Sequence, residues 1–528
     1  MEPRARETET HLRALAAATD PARENEIATA ALGEGLRHPA FHAARARWFE
    51  QRQCHAEALN ELRNAFALAP RDPDLLDAIG LTLIRLNRFA KAIAAFDAAI
   101  RIAPARAQTH YHKGCAHSAA GELAAALRSH ERAIALQPAH ADALAALAAS
   151  AARGGETAKA RLFAERALRA VPTHATAAIA LSMCDLLNLE FVRAETRLDA
   201  LLLETHTDEQ TRALALGLLG DALDGQDRRE AAFEAYAAKN DILRNLYKER
   251  FEGELRPLNR VQRLIAAVAE TGMAQSAEAA PAPSPARQHI FLLGFMRSGT
   301  TLLEQVLASR SDVESLEERE TFASLSAALP GGAASDEIRW RGDELDHARE
   351  TYWQRVRGFG ARPEGKFFVD KQPFNTLNLP LIATLFPSAK VVFLVRDPRD
   401  VILSCFRRHI EVRPVTFELL TLAGAARFYD SVMRVAEICR SRLPLDVLEC
   451  RYEDIVSDFE NRVPAICRFL GMEWNEAMRD FDNSARSRTI RSASSNQVRR
   501  GLYPEGVGQW RRYEKQLSTI LPLLQPWV

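Results

Sequence analysis

The chain has 528 residues, and its 69 Lys and Arg balance 69 Asp and Glu, so the formal net charge is zero. Hydrophobic residues make up 47% and charged residues 26%, a composition typical of a globular protein with roughly two to four domains. Neutrality removes the usual electrostatic argument for nucleic-acid binding, and the absence of any run of about 18 apolar residues argues against a membrane span.

The N-terminal residues and the cysteines indicate a compartment. Residues 1–20 are charged throughout and lack the apolar core of a secretory signal. The 7 cysteines are odd in number and scattered, without a CxxC pair or a Cys/His cluster. We therefore expect a reducing, cytoplasmic setting, with neither a disulfide framework nor a metal site.

A 34-residue period dominates the first half of the chain. It is marked by prolines at Pro70, Pro104, Pro138 and Pro172. Small residues recur in three phases, one of which comprises Ala46, Gly80, Gly114, Ala148 and Ser182. Small residues let two antiparallel helices approach closely and a proline ends the second, so the period predicts a repeated helical hairpin. The pattern resembles the tetratricopeptide repeat, which implies a stacked solenoid with a concave surface for a peptide or protein partner. A chance match in an alanine-rich chain is the alternative.

The pattern also divides the first half into segments. We predict a helical cap over residues 1–37, a repeat solenoid over 38–245, and a helix with a Pro/Ala-rich linker over 246–287. Phe96 and Tyr236 are bulky residues that we expect to fill the space between paired helices.

The second half has a different character. Short β-rich runs over 289–295, 366–370, 389–395 and 445–452 alternate with helical patterns, which predicts buried strands in a parallel α/β sheet.

The first of these strands runs into the loop from Gly294 to Thr301, and a helical pattern follows. A strand, a glycine-containing turn and a helix N-terminus form an anion cradle. Thr300 stands where a Walker A motif has its lysine, which argues against an ATPase or kinase, and Arg297 offers a cation instead. An ordinary tight turn between strand and helix is the alternative.

A second strand–turn–helix unit places Arg396 at the end of a strand, with Ser404 and Arg408 on the next helix. Two guanidinium groups and a hydroxyl would form a phosphate-sized pocket. The alternatives are an ion pair between Arg396 and Asp397 or Asp400, and a solvated helix face for the other two residues.

Together the two motifs resemble those of sulfotransferases that use 3′-phosphoadenosine 5′-phosphosulfate (PAPS), and the resemblance is greatest to the tyrosylprotein group. It covers roughly residues 288–520, and we predict a sulfotransferase domain over residues 288–528. The resemblance implies that the loop from Arg297 to Thr301 binds the 5′-phosphosulfate and that Arg396 and Ser404 bind the 3′-phosphate. The remaining cofactor-binding residues that it implies are Ser298, Gly299, Thr300, Arg408, Tyr452, Arg499 and Arg500. Gln509 stands where relatives carry a lysine or arginine, so that contact stays open, and Arg511 or Arg512 could compensate.

Sulfuryl transfer to a hydroxyl needs a base for the acceptor proton. Glu314, Glu317, Glu318 and Glu320 lie in one segment, and from charge alone any of them could equally be a surface residue. The resemblance assigns the base to Glu318, with Glu317 as the fallback.

The leaving group needs a cation or a hydrogen bond as charge builds on it. Lys371 follows a predicted strand, and its alternative is a surface lysine paired with Asp370. The resemblance assigns Lys371 to the leaving group and Ser494 to stabilisation of the transition state.

These expectations combine into a PAPS-dependent sulfotransferase that releases adenosine 3′,5′-bisphosphate without requiring a metal. The acceptor hydroxyl could belong to a protein tyrosine, a sugar or a small molecule, and the repeats would recruit a substrate or another protein. The alternatives are a P-loop nucleotide kinase and a repeat scaffold with an inactive sulfotransferase-like domain.

Overall fold

The computed structural model describes residues 3–251, 257–270, 284–323, 325, 342–482, 501–502 and 504–528. The chain forms two compact units, Met1–Arg197 and Leu198–Val528. The predicted order of a helical solenoid followed by a parallel α/β domain is confirmed.

The first unit is built of helical hairpins. Its helices are α1 (Pro3–Ala17), α2 (Pro21–Gly33), α3 (Pro39–Gln51), α4 (His55–Leu68), α5 (Pro73–Arg85), α6 (Phe89–Ile102), α7 (Ala107–Ala119), α8 (Leu123–Leu136), α9 (Ala141–Arg153), α10 (Thr157–Ala170), α11 (Ala175–Leu187) and the start of α12 (Phe191–Leu203). Each periodic proline lies two residues beyond the end of a helix, which explains the 34-residue spacing.

The small-residue phase has a direct packing reason. A Cβ atom at Gly80 would lie 2.5 Å from the ring of Phe96, and one at Gly114 would lie 2.4 Å from the ring of His130. In these two hairpins a ring on the second helix therefore occupies the space that a glycine leaves on the first.

The second unit contains the remaining helices and all the described strands. In chain order these are α13 (Glu209–Gly225), α14 (Arg229–Phe251), α15 (Pro257–Glu270), β1 (Gln288–Gly294), α16 (Thr300–Ala308), β2 (Val313–Glu317), α17 (Gly342–Gly358), β3 (Phe367–Lys371), α18 (Leu379–Leu385), β4 (Lys390–Val395), α19 (Pro398–Arg407), α20 (Pro414–Phe417), α21 (Leu422–Arg442), β5 (Asp446–Arg451), α22 (Tyr452–Ser457), α23 (Phe459–Leu470), α24 (Glu514–Leu517) and α25 (Leu521–Leu524).

The five described strands form one parallel sheet in the order β2-β3-β1-β4-β5. Apolar side chains cover both faces, so the central strand β1 is buried from His289 onward. The carboxyl ends of parallel strands meet at one edge, where open α/β sheets bind ligands.

Two sequence expectations for the sheet need correction. The segment with the candidate glutamates contains strand β2, which the sequence did not predict because it is five residues long and partly polar. Strand β5, which we expected to be buried, is an edge strand whose residues are exposed or half-buried.

The last repeat helices belong to the second unit. Helix α14 continues past the predicted boundary at residue 245 to Phe251, and α15 contributes Leu258 and Val261 to the core of the α/β fold. Most of the predicted linker lies outside the described residues. The boundaries drawn from the sequence pattern therefore stay a prediction.

Candidate active site

The loop after β1 is shaped by two glycines. A Cβ atom at Gly294 would lie 2.4 Å from the carbonyl oxygen of Leu394 on the neighbouring strand. Gly299 precedes the first residue of α16 and has a φ of +98°, and a Cβ atom there would lie 2.5 Å from the ring of Tyr452. Only glycine fits either position, so the loop turns tightly into the N-terminus of α16.

Arg297 lies inside this loop with a φ of +68°, a left-handed conformation that non-glycine residues rarely adopt. Its side chain is buried, and its Nε donates to the Oγ of Ser404 at 3.0 Å. Burial lowers the pKa of Arg297 to about 10, and repulsion from Arg408 and Arg396 adds to that effect. Three of the five predicted cofactor arginines, Arg297, Arg396 and Arg408, thus concentrate positive charge at the loop, as a polyanionic ligand requires.

Arg396 joins the loop to the C-terminal segment. Its guanidinium donates to the backbone carbonyl of Arg297 at 3.0 Å and to that of Gly506, and it lies over the ring of Tyr452 at 4.8 Å. Its Nε is buried without a hydrogen-bond partner among the described residues. The alternative pairing with Asp397 or Asp400 is not what the described contacts show.

Those two aspartates are engaged elsewhere. Asp397 caps α19 and pairs with Arg399, while Asp400 accepts from the backbone N–H groups of Gly508 and Trp510. The C-terminal segment is therefore fixed beside the loop by α19.

Lys371 lies at the centre of a cluster of carboxylates. Its side chain is fully buried, and its Nζ lies 2.7 Å from Glu318 Oε1, 3.3 Å from Glu304 Oε2 and 3.5 Å from Glu317 Oε1. Burial lowers the pKa of Lys371, but the carboxylates of Glu304, Glu318 and Glu317 outweigh burial and raise it. Lys371 is therefore a charged lysine in a buried site and does not pair with Asp370 on the surface.

Glu318 is placed by the end of the sheet. Its backbone N–H donates to the carbonyl of Lys371 at 2.7 Å, which extends the pairing of β2 with β3 by one residue. A φ of +46° at Glu318 then turns the chain away from the strand. The side chain is 37% exposed, so the residue that contacts Lys371 is also accessible to solvent.

Glu304 is a site residue that the sequence reasoning missed. Burial raises its pKa to about 7 against the opposing charge of Lys371, and Ser315 donates to its other oxygen at 2.5 Å. A signal existed, because a buried acid inside the apolar run of α16 requires a partner.

A second missed group lies behind Lys371. Asp370 accepts from Tyr352 and Thr321, both at 2.8 Å, and burial raises its pKa to about 7. Thr321 lies three residues beyond Glu318, so this network connects the strand that carries Lys371 to the segment that carries Glu318.

The remaining predicted residues divide into two groups. Ser298, Thr300 and Thr301 are buried at the start of α16, where backbone N–H groups and the helix dipole favour an anion. Ser494, Arg499 and Arg500 lie outside the described residues.

No described contact joins Gln509 to Arg297, Arg396 or Arg408. Gln509 accepts from Arg512, which itself pairs with Asp224 and Asp227. Arg511 lies over the ring of Trp510.

The predicted residues therefore converge from distant parts of the chain. Arg297 and Arg396 lie just beyond the carboxyl ends of β1 and β4. The cluster around Lys371 lies at the carboxyl ends of the adjacent strands β3 and β2. Among the described residues, no group of three or more His, Cys, Asp or Glu side chains is placed so that it could hold a metal ion. In the same residues no helix has the length and apolar character to cross a membrane.

Comparison with known proteins identifies both parts of the chain. Residues 289–476 match the model of the sulfotransferase family, and residues 73–106 match that of the tetratricopeptide repeat. Both resemblances expected from the sequence are confirmed.

Relatives include an uncharacterized protein of Aquifex aeolicus, which is 28% identical over 344 residues, 62% of this chain and 43% of that protein. Protein-tyrosine sulfotransferase 1 of Danio rerio is 25% identical over 44% of this chain and 70% of its own. Protein-tyrosine sulfotransferase 1 of Mus musculus is 30% identical over 23% of this chain and 35% of its own. Apart from the Danio rerio protein, the chain spans less than half the length of these relatives.

Solved structures resemble each part at low identity. The sulfotransferase domain of a Synechococcus olefin synthase aligns over 44% of this chain and 90% of its own, with 20% identity and a TM-score of 0.31. The Pseudomonas aeruginosa protein pilF aligns over 40% of this chain and 92% of its own, with 17% identity and a TM-score of 0.34.

Proposed function

We propose that this chain, whose residues 289–476 form a sulfotransferase-family domain, transfers a sulfuryl group from PAPS to the hydroxyl of a polypeptide tyrosine. The observation that carries the proposal is the contact of Lys371 with Glu318 at 2.7 Å, on the sheet edge that also carries Arg297 and Arg396. A base and a cation lie together beside an anion cradle, as transfer of an anionic group to a hydroxyl requires.

The residues of the cradle fit the donor. Arg297 and the N–H groups at the start of α16 would hold the phosphosulfate end, and Arg396 and Ser404 would hold the 3′-phosphate. Tyr452 packs on Gly299 and under Arg396, and so keeps both halves of this cradle together. When bound, PAPS supplies a sulfuryl group attached to a phosphate that can leave.

Glu318 and Lys371 have complementary roles in the proposal. Glu318 accepts the proton of the acceptor hydroxyl, whose oxygen then bonds to sulfur as the bond from sulfur to the phosphate oxygen breaks. Lys371 orients Glu318 through their contact and offers its charge to the departing phosphate oxygen. Glu304, with its raised pKa, can take up one proton in a cluster that otherwise carries three negative charges around one lysine.

Tyrosine is favoured as the acceptor for two reasons. The named relatives include protein-tyrosine sulfotransferases, and a tetratricopeptide repeat suits the capture of a polypeptide. The repeats would then raise the local concentration of the substrate near the sulfotransferase domain.

The test uses the full-length protein with sulfur-labelled PAPS and a tyrosine peptide, beside the same peptide with phenylalanine and a panel of sugars. We expect label on the tyrosine peptide alone, and stabilisation against heat by adenosine 3′,5′-bisphosphate but not by ATP. Transfer to a sugar alone would contradict tyrosine as the acceptor. Stabilisation by ATP alone would contradict PAPS as the donor.

The variant Glu318→Gln tests the base. Loss of a general base lowers turnover by about 10²- to 10⁴-fold, so we expect a loss in that range. Glu314→Gln is the matched control, because Glu314 lies on β2, the strand that Glu318 follows, but pairs with the half-exposed Lys366 at 2.9 Å. Full turnover of Glu318→Gln would show that another residue takes the proton.

A further inference from the structure

The last turn of α19, which carries Ser404, ends against α14, the last helix of the repeat region. The final carbonyl groups of a helix have no partners within the helix. Here Lys239 Nζ donates to the carbonyl oxygens of residues 406, 407 and 408, at 2.9, 3.0 and 2.9 Å. Asn240 Nδ2 donates to the carbonyl oxygen of residue 406 at 3.0 Å. Two neighbouring side chains of α14 thus cap the carboxyl end of α19.

The environment of Lys239 is built for an ammonium group. Its side chain is fully buried, and the three N–H bonds of the group match three carbonyl acceptors. Burial lowers its pKa to about 7, against the opposing charge of Asp221. On α13, Gly217 leaves room for the stem, because a Cβ atom there would lie 3.1 Å from Cδ of Lys239.

The pair of helices α13 and α14 also contacts Arg407 and Arg408, at the end of α19. Arg407 forms an ion pair with Asp224 of α13, and Arg408 lies 3.4 Å from Asp221 of the same helix. Tyr236 of α14 donates to Asp221 at 2.8 Å and fixes it in place. Side chains of α13 and α14 therefore contact both the final carbonyl groups of α19 and the two arginines at its end.

Electrostatics explain why this cap matters for an anion. The carboxyl end of a helix carries partial negative charge, which repels a phosphate group placed near it. Ser404 lies in that last turn, and it accepts from Arg297 of the loop. In its ammonium form, Lys239 offsets the negative end, and its bonds to the final carbonyls fix the backbone from which Ser404 and Arg408 project.

We propose that Lys239, assisted by Asn240, is a positioning residue for the donor nucleotide, holding the end of α19 so that Ser404 and Arg408 can receive its 3′-phosphate. The proposal rests on the proposed function. It makes the last repeat hairpin an integral part of the nucleotide site.

The test compares full-length Lys239→Met and Asn240→Leu with wild type. Titration calorimetry measures the affinity for adenosine 3′,5′-bisphosphate and for adenosine 5′-monophosphate, which lacks the 3′-phosphate. We expect Lys239→Met to weaken bisphosphate binding at least tenfold and Asn240→Leu about threefold, with monophosphate binding changed less than twofold. Lys239→Arg should restore most of the lost affinity.

Two control variants show whether a loss of affinity comes from lost positioning, from the loss of a charge or from misfolding. Lys248→Met removes an exposed lysine from the same helix and should leave both affinities unchanged. Asn240→Leu changes no charge, and it keeps the test decisive if Lys239→Met does not fold. The proposal would be overturned if folded Asn240→Leu and Lys239→Met kept the bisphosphate affinity of wild type, or if both nucleotides lost affinity equally. Either outcome would leave the proposed function standing. Failure of the wild-type protein to bind the bisphosphate would instead overturn the proposed function, and this proposal with it.

Discussion

The repeat unit and the α/β unit both bury ionisable side chains, but they join them over different distances along the chain. In the repeat unit, Asp77 contacts His112, 35 residues away, and Asp185 contacts Arg161, 24 residues away. In the α/β unit, Lys239 contacts carbonyl groups 167 to 169 residues away. Buried charges of the first unit therefore connect neighbouring hairpins, whereas those of the second connect segments that are far apart in the chain.

This difference separates stability from chemistry. A contact between adjacent repeats can be exchanged for an apolar one with only a local effect, because each repeat touches only its neighbours. A buried charge at the sheet edge has several partners, so its loss leaves other charges buried without compensation. Three predictions test the distinction, from the largest expected effect to the smallest.

Lys371→Met should have the largest effect. It removes the cation from three carboxylates and from the leaving group of the proposed reaction, so we expect turnover to fall by about 10³-fold. The free energy of unfolding should also fall, by about 3–5 kcal/mol. Steady-state kinetics and urea denaturation measure the two effects.

Lys366→Met is the matched control for that variant. Lys366 lies just before the same strand, and its half-exposed pair with Glu314 contributes at most about 1 kcal/mol. If the two variants lost turnover equally, the buried cluster would have no special role.

Gly299→Ala should weaken nucleotide binding at the proposed donor site. Alanine at a φ of +98° is strained, and its Cβ would lie 2.5 Å from the ring of Tyr452, so either the loop or the tyrosine must move. We expect about tenfold weaker binding of adenosine 3′,5′-bisphosphate by calorimetry. Gly471→Ala has a similar φ of +73° with no atom near its Cβ, and it should leave binding unchanged. Equal binding by both variants would argue against a nucleotide at this loop.

His130→Phe should have a smaller effect, confined to the repeat unit. Burial, with a further contribution from His140, lowers the pKa of His130 to about 4. Between pH 6.5 and 4 the unfolded chain binds a proton that the folded chain does not, so wild-type stability falls as the pH falls. This amounts to about 2 kcal/mol between pH 8 and pH 5.

Phenylalanine is the matched replacement, because Phe96 fills the same position 34 residues earlier. Urea denaturation at pH 5 and pH 8 should show a smaller pH effect in His130→Phe than in wild type, with turnover unchanged at pH 8. An unaltered pH dependence would show that His130 is not the titrating group.

Features encoded by neighbouring residues could be predicted from the sequence. The 34-residue period fixes where helices end and where glycines meet rings, so the solenoid followed from spacing alone. The strand–loop–helix motifs likewise predicted that Arg297 and Arg396 lie at one sheet edge, because parallel strands end together, and that Ser404 lies on the helix that follows. Lys371 followed from the same rule.

Only the tertiary structure decided which groups share a burial site. It revealed the short strand β2, which sets Glu318 beside Lys371, and it brought Glu304 into the same cluster. It also brought Lys239 to the end of α19, although the repeat pattern assigned that residue to the solenoid. The physical reason is that local periodicity fixes which face of an element is apolar, whereas the partners of a buried charge are chosen by packing between segments far apart in the chain.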